Sequence, residues 1–264
     1  MTQQERRIWL IRHLIEERPE YRHLEIPTDS YGQKQLLRSL MNVRPPKPIS
    51  EKFLNIQDDY LTEELQRKEI TTLRDLTPIQ KNIYLWKGDI TVLAVDAIVN
   101  AANSALLGCF IPCHGCIDNA IHSAAGLQLR EACSDIMSQQ NREEDTGNAK
   151  LTPAFNLPSR CVIHTVGPII RGILKKQDCD LLASCYRSCL ELAAQQELSS
   201  IAFCCISTGE FHFPNKAAAD IAVQTVQTFL SEWNRTHENK MEVIFNVFKE
   251  EDYDIYRKLL SEKK

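Results

Sequence analysis

Four side chains that bind soft metals lie within eight consecutive positions, from Cys109 to Cys116. They are three thiols and one imidazole, which are ligands that Zn²⁺ takes in proteins: Cys109, Cys113, His114 and Cys116. In extended backbone His114 and Cys116 can point the same way, whereas the neighbours Cys113 and His114 point apart. We therefore predict a zinc site formed by Cys109, His114 and Cys116, with Cys113 left over. Three protein ligands leave a fourth position open, as catalytic zinc sites do.

Two other interpretations of these residues stay open. In the first, Cys113 joins the other three ligands in a closed zinc site, which would have a structural role. In the second, the segment is a reduced, cysteine-rich loop without metal. The other seven cysteines mostly fall in apolar patterns, which favours buried thiols because a free cysteine behaves as a small hydrophobic residue.

Two further segments carry polar groups that could hold a ligand. Asn100 and Asn103 end one apolar run, where a pair of side-chain amides can bind a polar molecule. Ser207, Thr208 and Gly209 follow another apolar run and precede a predicted helix, so their backbone N–H groups can form an anion nest. Such a nest binds phosphate without a cation, which suits a net charge of -4. Taken alone, each pattern is also typical of an ordinary turn.

These segments need a sheet to bring them together, and the chain after residue 80 predicts one. Five short apolar runs are predicted to be buried strands: residues 82–86, 96–102, 161–166, 200–207 and 242–248. Helices are predicted between and after them, at residues 117–137, 180–197, 214–233 and 250–263. Strands that alternate with helices predict a three-layer α/β sandwich, and ligand sites in such sheets lie outside the carboxyl ends of the strands.

The first part of the chain has a different pattern. Residues 1–75 show helical periodicity only, interrupted at the proline-rich segment RPPKPIS, residues 44–50. Because no cluster of His, Cys or acidic residues occurs there, we do not expect this part to carry the chemistry. We predict a helical N-terminal extension at residues 1–75 and one α/β domain at residues 76–264.

Composition and charge argue against several classes of protein. The net charge of -4 and the absence of a basic stripe argue against binding to nucleic acid. The sequence has no apolar run of about 18 residues, so no membrane span is expected. The first twenty residues are charged throughout and lack the apolar core of a signal peptide. We therefore expect a cytoplasmic protein that binds neither nucleic acid nor membrane.

Four motifs, in order along the chain, resemble the macrodomain family: GDIT at 88–91, VDAIVNAAN at 95–103, NLPSRCVIHTVGP at 156–168 and ISTGEFHFP at 206–214. The resemblance implies a three-layer α/β/α macrodomain with a mixed central sheet and a pocket for ADP-ribose. Hydrolytic macrodomains usually carry the loop LLGGGGVDGAIH. Here GCIDNAIH, at 115–122, matches its end, and CFIPCH replaces the glycines. This loop and the helical extension resemble the zinc-dependent macrodomain class of bacteria.

The resemblance also implies how ADP-ribose would be held. Asp89 would bind the adenine amine, and Phe248 would pack on the adenine ring. The backbone N–H of Ile90 would donate to a phosphate. One loop would wrap the diphosphate, through Ser207, Thr208, Gly209, Glu210 and Phe211.

At the distal ribose, the resemblance implies contacts from Asn100, Asn103 and Phe213, with Asn103 orienting the sugar. Asp118 falls at the position of the catalytic aspartate. At a predicted helix start the dipole would keep it ionised, so that it could act as a base toward water or stabilise positive charge. The bond to be cleaved, at the anomeric carbon, passes through an oxocarbenium-like state. Zinc could bind a ribose hydroxyl or lower the pKa of a water.

The expected function is therefore removal of mono-ADP-ribose from modified protein side chains, with zinc as the cofactor. One alternative is a non-catalytic reader that binds ADP-ribose and uses zinc only to hold its loop. Another is a structural zinc module that recruits partners and does not need the pocket. Because members of the zinc-dependent class act beside sirtuin-type ADP-ribosyltransferases and lipoyl-carrier proteins, the resemblance implies a mono-ADP-ribosylated lipoyl-carrier protein among the substrates.

Overall fold

Three helices begin the chain in the computed structural model, which describes residues 1–236 and 240–261. They are α1 (Gln3–Glu16), α2 (Ser30–Val43) and α3 (Glu51–Gln66). Each begins after a residue whose side chain accepts a hydrogen bond from a backbone N–H of the first turn, and these caps are Thr2, Asp29 and Ser50. The helices share a small apolar core formed by side chains such as Leu10, Leu37 and Phe53.

The sheet that follows is mixed, as predicted. Its seven strands lie in the order β2-β3-β9-β8-β5-β7-β6, and two short strands, β1 (Thr71–Thr72) and β4 (Leu93–Ala94), pair separately. The five strands predicted from the sequence pair in parallel at its centre: β3 (Ile83–Lys87), β5 (Ala97–Ala102), β7 (Cys161–Val166), β8 (Ser200–Phe203) and β9 (Glu242–Val247). The two antiparallel edges were not predicted: β2 (Pro78–Gln80) and β6 (Ala149–Pro153). Both contain a proline and are only partly buried, so they lack the pattern of a central strand.

Helices cover both faces of this sheet. Every residue of β7 and β8 is buried, which requires helices on each side. The helices are α4 (Ile117–Ala125), α5 (Leu127–Gln140), α6 (Lys176–Gln195), α7 (Asn215–Thr236) and α8 (Glu250–Ser261). Helices α6, α7 and α8 pack side by side, and α4 packs against α5 and against α2 of the extension. The predicted three-layer architecture is confirmed.

The single helix predicted over residues 117–137 is two helices, separated at Gly126. This glycine has a φ of 97°, in the left-handed region, and a Cβ there would lie 2.6 Å from side-chain atoms of Gln57 and Gln128. The break allows the side chain of Gln57, on α3, to accept a hydrogen bond from the N–H of Leu127 at 3.0 Å. The extension therefore caps a helix of the sheet domain. Helical periodicity could not reveal this break because apolar spacing continues through it.

The boundary predicted between residues 75 and 76 falls at the end of a short 3₁₀ helix, Leu73–Asp75. This helix directly follows β1, whose pairing partner β4 lies beyond the boundary. Structure that belongs with the second part of the chain thus begins at Thr71. Among the described residues, no helix combines the length and the apolar character that crossing a membrane requires.

Candidate active site

A cleft of about 690 Å³ opens where the parallel strands end, which is within the usual size of a ligand pocket. It is lined by most of the residues predicted to bind ligand or metal: Asp89, Ile90, Asn103, Cys109, His114, Cys116, Asp118, Ser207, Thr208, Gly209, Glu210, Phe211 and Phe248. None of residues 1–75 lines it. Two predicted residues, Asn100 and Phe213, lie outside the lining.

The three predicted metal ligands lie together on one wall of the cleft, in the segment between β5 and α4, which we call the cysteine loop (residues 107–116). The ligand atoms of Cys109, His114 and Cys116 all lie within 4.8 Å of one another. The Sγ atom of Cys109 is 3.6 Å from Nδ1 of His114. Cys116 caps α4, where its sulfur accepts a hydrogen bond from the N–H of Asn119. Two thiols and an imidazole at this spacing, open to a cleft, fit a three-ligand zinc site.

The charge balance of this group also fits a cation. Burial raises the pKa of the Cys116 thiol to about 12, and the neighbouring Cys109 adds to the rise. Two thiolates so close to each other repel, so both become ligands only when a positive charge lies between them. A divalent metal ion supplies that charge.

Cys113 lies outside this donor group. Its φ of 51° is left-handed, and its sulfur turns toward α2, 3.2 Å from Oγ of Ser39 and 3.4 Å from the carbonyl oxygen of Gln35. A closed site with four protein ligands would require the loop to refold. The identity of the ligands and of the metal stays a prediction.

Asp118 lies at the bottom of the cleft, on the first turn of α4, and is 5% exposed. Its carboxylate accepts a hydrogen bond from Nδ2 of Asn100 at 2.8 Å, and Nδ2 of Asn103 lies 3.5 Å from its other oxygen. Burial raises the pKa of Asp118 to about 6, which is opposite to the direction expected from the helix dipole. The carboxylate form still prevails at neutral pH.

Asn100 was expected to contact the distal ribose, and this contact stays a prediction. In this structure the side chain is fully buried below Asp118 and orients the carboxylate. Burial lowers the pKa of His164 to about 4, so its imidazole is neutral. Nδ1 of His164 therefore accepts from Asn100 at 3.2 Å while Nε2 donates to the hydroxyl of Thr152 at 2.9 Å. A chain of hydrogen bonds thus fixes Asp118 from the core.

A second group of possible metal ligands lies in this buried layer. Suitable atoms of His122, Cys133 and His164 also lie within 4.8 Å of one another. However, His164 already uses both ring nitrogens in hydrogen bonds, and all three side chains are buried beneath Asp118. The geometry therefore favours the cysteine loop, which faces the cleft, as the metal site.

The anion nest was predicted from Ser207, Thr208 and Gly209, in the segment after β8 that we call the nest loop (residues 206–213). Ser207 has a left-handed φ of 64°, and its carbonyl accepts from the N–H of Phe213 at 2.9 Å, which closes the loop. Within the described part of the chain, the N–H groups of Gly209, Glu210 and Phe211 have no hydrogen-bond partner. Three free donors on a wall of the cleft suit the oxygens of a diphosphate.

Phe213 was expected to pack on the distal ribose, and this contact stays a prediction because the side chain does not line the cleft in this structure. Its side chain is 1% exposed and belongs to the apolar core of the sheet domain. The loop turns back on itself between Phe211 and Phe213, so that Phe211 lines the cleft and Phe213 points inward. Because the loop is irregular, the sequence could not show which of its side chains point into the cleft and which point into the core.

At the opposite end of the cleft, Asp89 caps the short 3₁₀ helix Ile90–Val92. Its carboxylate accepts from the N–H and the hydroxyl of Thr91 at 3.0 and 2.7 Å, and it pairs with Lys68 at 3.2 Å. Burial alone would raise the pKa of Asp89, but these groups lower it below the usual value. Phe248 stands at the rim with 78% of its surface exposed, so a ring face is available for stacking.

Sequence reasoning missed the contact that joins the two sides of the cleft. Nε2 of His114 lies 3.6 Å from the carboxylate of Glu210, so the cysteine loop touches the nest loop. An imidazole that binds metal through one nitrogen commonly donates the other to a carboxylate, which orients the ring. Nothing in the local sequence around either residue indicates this pairing, because they lie almost a hundred positions apart.

Gly167 determines the shape of the nest loop. A Cβ at this position would overlap Oγ of the buried Ser207 and lie 2.9 Å from a methyl group of Ile206. Gly167→Ala should therefore displace the nest loop. Because this displacement moves the N–H groups that would bind the diphosphate, we expect ADP-ribose affinity to fall by about tenfold or more, which is about 1.4 kcal/mol.

Titration calorimetry with ADP-ribose measures this effect. Gly115→Ala is the matched control, because a Cβ at Gly115, which also lines the cleft, meets nothing within 4 Å. Unchanged affinity in Gly167→Ala would mean that the nest loop does not contact the ligand.

Comparison with known proteins supplies independent findings. A family model described as the Macro domain matches residues 99–222. A protein-ADP-ribose hydrolase of Treponema medium is 56% identical, over 99% of this chain and 100% of that protein. A protein-ADP-ribose hydrolase of Staphylococcus aureus strain MRSA252 is 49% identical, over 94% of this chain and 92% of that protein.

Solved structures of macrodomains are also similar to most of the chain. The Trypanosoma brucei macrodomain, whose crystal structure is a complex with ADP-ribose, superposes with a TM-score of 0.65 and 32% sequence identity. The superposition covers 84% of this chain and 94% of that one.

Proposed function

The chain belongs to the macrodomain family that includes these two bacterial protein-ADP-ribose hydrolases, and on that basis we propose that it hydrolyses the bond between ADP-ribose and a modified protein side chain. One observation carries the proposal beyond binding. The carboxylate of Asp118 lies in the same cleft as the nest loop and the Cys–His donor group, and buried amides fix its orientation. A site that only bound ADP-ribose would not need a fixed buried carboxylate beside such a donor group.

The cleft would hold ADP-ribose along its length. Asp89 and Phe248 would contact the adenine at one end, and the nest loop would donate its free N–H groups to the diphosphate. This arrangement would direct the distal ribose toward Asn103 and Asp118 at the bottom. The bond to the protein side chain, at the anomeric carbon, would then lie near the cysteine loop.

Loss of the exposed aromatic ring at the rim should weaken binding without affecting the chemistry. Stacking of a base on an aromatic side chain is worth about 1–3 kcal/mol. We therefore expect Phe248→Ala to lower ADP-ribose affinity by about fivefold or more, with the turnover number nearly unchanged. Calorimetry and saturation kinetics measure the two quantities. Tyr31→Ala, which removes an aromatic ring that is 73% exposed and does not line the cleft, is the control.

Within the reaction, Asp118 would act on the distal ribose. Cleavage at the anomeric carbon builds positive charge on the sugar ring. A carboxylate held by Asn100 can stabilise that charge or accept a proton from the attacking water. Asn103, whose amide nitrogen also donates to the carbonyl of Gly108, would orient the ribose between Asp118 and the cysteine loop.

We propose Zn²⁺ as the cofactor, held by Cys109, His114 and Cys116. The donor types, their mutual spacing and their position on the cleft support this choice. When bound, zinc would supply a Lewis acid beside the distal ribose. Glu210 would orient His114 through the ring nitrogen that does not face Cys109.

The finer biological setting rests on the resemblance of the cysteine loop to the zinc-dependent class. It supports a mono-ADP-ribosylated lipoyl-carrier protein as the substrate and a sirtuin-type transferase as the enzyme that modifies it. All ten cysteines are free, which supports a reducing, cytoplasmic location.

Release of ADP-ribose over time tests the proposal against the reader alternative. Proteins that carry mono-ADP-ribose on Glu or Asp, on Ser and on Arg serve as substrates, and free ADP-ribose is quantified by chromatography. A hydrolase releases it in proportion to time and enzyme concentration. Tight binding with no release from any of the linkages would support the reader.

A further inference from the structure

The cysteine loop is fastened to helix α2 of the N-terminal extension, and we propose that Arg38 and Asn42 of α2 are positioning residues for the metal ligands. Neither residue lines the cleft, so they would act through the loop and not on the substrate. Two measurements test the inference, zinc affinity and the chemical modification of Cys113. The first of them rests on the proposed zinc site, and the second does not.

Arg38 holds the loop at the carbonyl of a proposed ligand. Its Nη2 donates to the carbonyl oxygen of His114 at 3.0 Å. Nε and Nη2 also donate to Oδ1 of Asn119, at 3.1 and 2.7 Å. Asn119 is fully buried, and its own Nδ2 donates to the carbonyl of Ile111 at 2.9 Å. One guanidinium therefore fixes two points of the loop, one of them directly and the other through Asn119.

Asn42 holds the loop at the residue that precedes His114. Its Oδ1 accepts from the N–H of Cys113 at 2.9 Å, and its Nδ2 donates to the hydroxyl of Ser123 on α4 at 2.9 Å. Asn42 is 1% exposed, so both bonds are shielded from water. With the Cys113 sulfur held on Ser39 and Gln35, this contact keeps one thiol on α2 and leaves the other two to face the cleft.

The C-terminal end of α2 is joined to the start of the loop by Arg130. This buried side chain donates to the carbonyl of Leu107 at 2.7 Å and to those of Met41 and Arg44 on the other side. Its guanidinium also lies 4.3 Å from the ring centre of Phe110. The loop is thus attached to α2 near its beginning, its middle and its end.

These contacts matter because the loop has no regular structure of its own. Gly108 and Cys113 both have left-handed φ values, and the three proposed ligands lie at uneven spacing. A loop that had to be ordered by the metal would lose conformational entropy at each binding event. Contacts with α2 fix the loop when the chain folds, so the ligands are already in place for the ion.

The variants that test this are Arg38→Met, which removes the donors and keeps an apolar side chain, and Asn42→Ala. We expect each to weaken zinc binding by about 10- to 100-fold, the range found when groups that orient ligands are removed. Competition with a chromogenic chelator measures the affinity. Arg6→Met is the matched control, because Arg6 pairs with Asp59 and Glu63 inside the extension.

A second readout needs no metal. In the metal-free protein, the rate at which iodoacetamide modifies Cys113 is followed by peptide mass spectrometry. Release of the loop from α2 should raise this rate severalfold in Asn42→Ala and Arg38→Met but not in Arg6→Met. Asn42→Asp keeps the oxygen that accepts from Cys113 and should restore most of the protection.

The outcomes separate the inference from the proposed function. If the unmodified protein binds no zinc, the proposed cofactor fails while modification of Cys113 still tests the role of α2. Unchanged zinc affinity and unchanged modification in both variants would overturn the inference. A lower stability in urea with both readouts unchanged would also overturn it, because it would leave α2 a purely structural role. If Asn42→Ala does not fold, Arg38→Met carries the same comparison.

Discussion

Asp118→Ala is expected to lower the rate of ADP-ribose release by about 100-fold or more, the scale of a positioned acid–base group. ADP-ribose affinity should stay within about tenfold, which is about 1.4 kcal/mol, because the adenine and diphosphate ends supply most of the contacts. The carboxylate is buried, accepts from Asn100 and lies next to Asn103, and these contacts fix it at the bottom of the cleft. Single-turnover release and calorimetry measure the two effects.

The control for removing a buried carboxylate is Glu144→Gln. The Glu144 side chain is fully buried and pairs with Lys150, but it does not line the cleft. The Glu144→Gln variant should release ADP-ribose at a rate close to that of the unmodified protein. If Asp118→Ala hydrolyses at the normal rate, the transfer of the family's catalytic aspartate to this position is wrong.

Cys116→Ser is expected to remove the metal and to lower the rate by a comparable factor. The hydroxyl is a far poorer zinc ligand than a thiolate, and two remaining ligands hold the ion weakly. Elemental analysis should show about one zinc per chain in the unmodified protein and close to none in Cys116→Ser. ADP-ribose affinity should also fall, because the cysteine loop forms one wall of the cleft.

Cys113→Ser is the matched control, since its sulfur faces α2 and lies outside the donor group. This variant should keep its zinc and most of its rate. Loss of metal from Cys113→Ser would instead favour a closed site of four protein ligands. A metal-free Cys116→Ser with full activity would show that zinc has no part in the reaction.

Combining the two changes tests whether they act on one step. Asp118→Ala in the Cys116→Ser background should cost less than the sum of the separate effects, because groups that act on one transition state are not additive. Fully additive losses would mean that the carboxylate and the metal act on different steps.

Local sequence was enough to predict the centre of this fold. A short run that is mostly apolar and rich in β-branched residues, such as Cys161–Val166, is typical of a strand that is covered on both sides. The order of five such runs with helices between them therefore predicts parallel strands. Since the carboxyl ends of parallel strands meet at one edge, the segments that follow β5 and β8 had to come together.

The candidate site residues could also be predicted from short segments of the sequence. The types and spacing of Cys109, His114 and Cys116 indicate a metal site, and the turn after β8 indicates an anion nest, because both depend on residues close in sequence. The motif that contains Asp118 also lies in one short segment. The structure brings all of these residues to a single cleft.

What the sequence could not provide is the direction of individual side chains. Asn100 and Phe213 lie in motifs that, from the resemblance to the family, are expected to contact ADP-ribose. Both side chains are nevertheless buried. Asn100 lies within β5, where successive side chains alternate between faces, and Phe213 follows a reversal of the nest loop. A motif states which residues are near the ligand, but the backbone conformation decides which of them reach it.

The sequence by itself determined the central strands, the cysteine loop and the nest loop, because each depends on burial patterns or residue types within a few positions. Only the tertiary structure decided that Arg38, on a helix of the extension, binds the carbonyl of His114 from 76 positions away. It also decided that Glu210 faces His114 across the cleft. Periodicity tells which face of a helix is buried, but it does not name the partner, since that contact exists only after the extension has packed against the sheet domain.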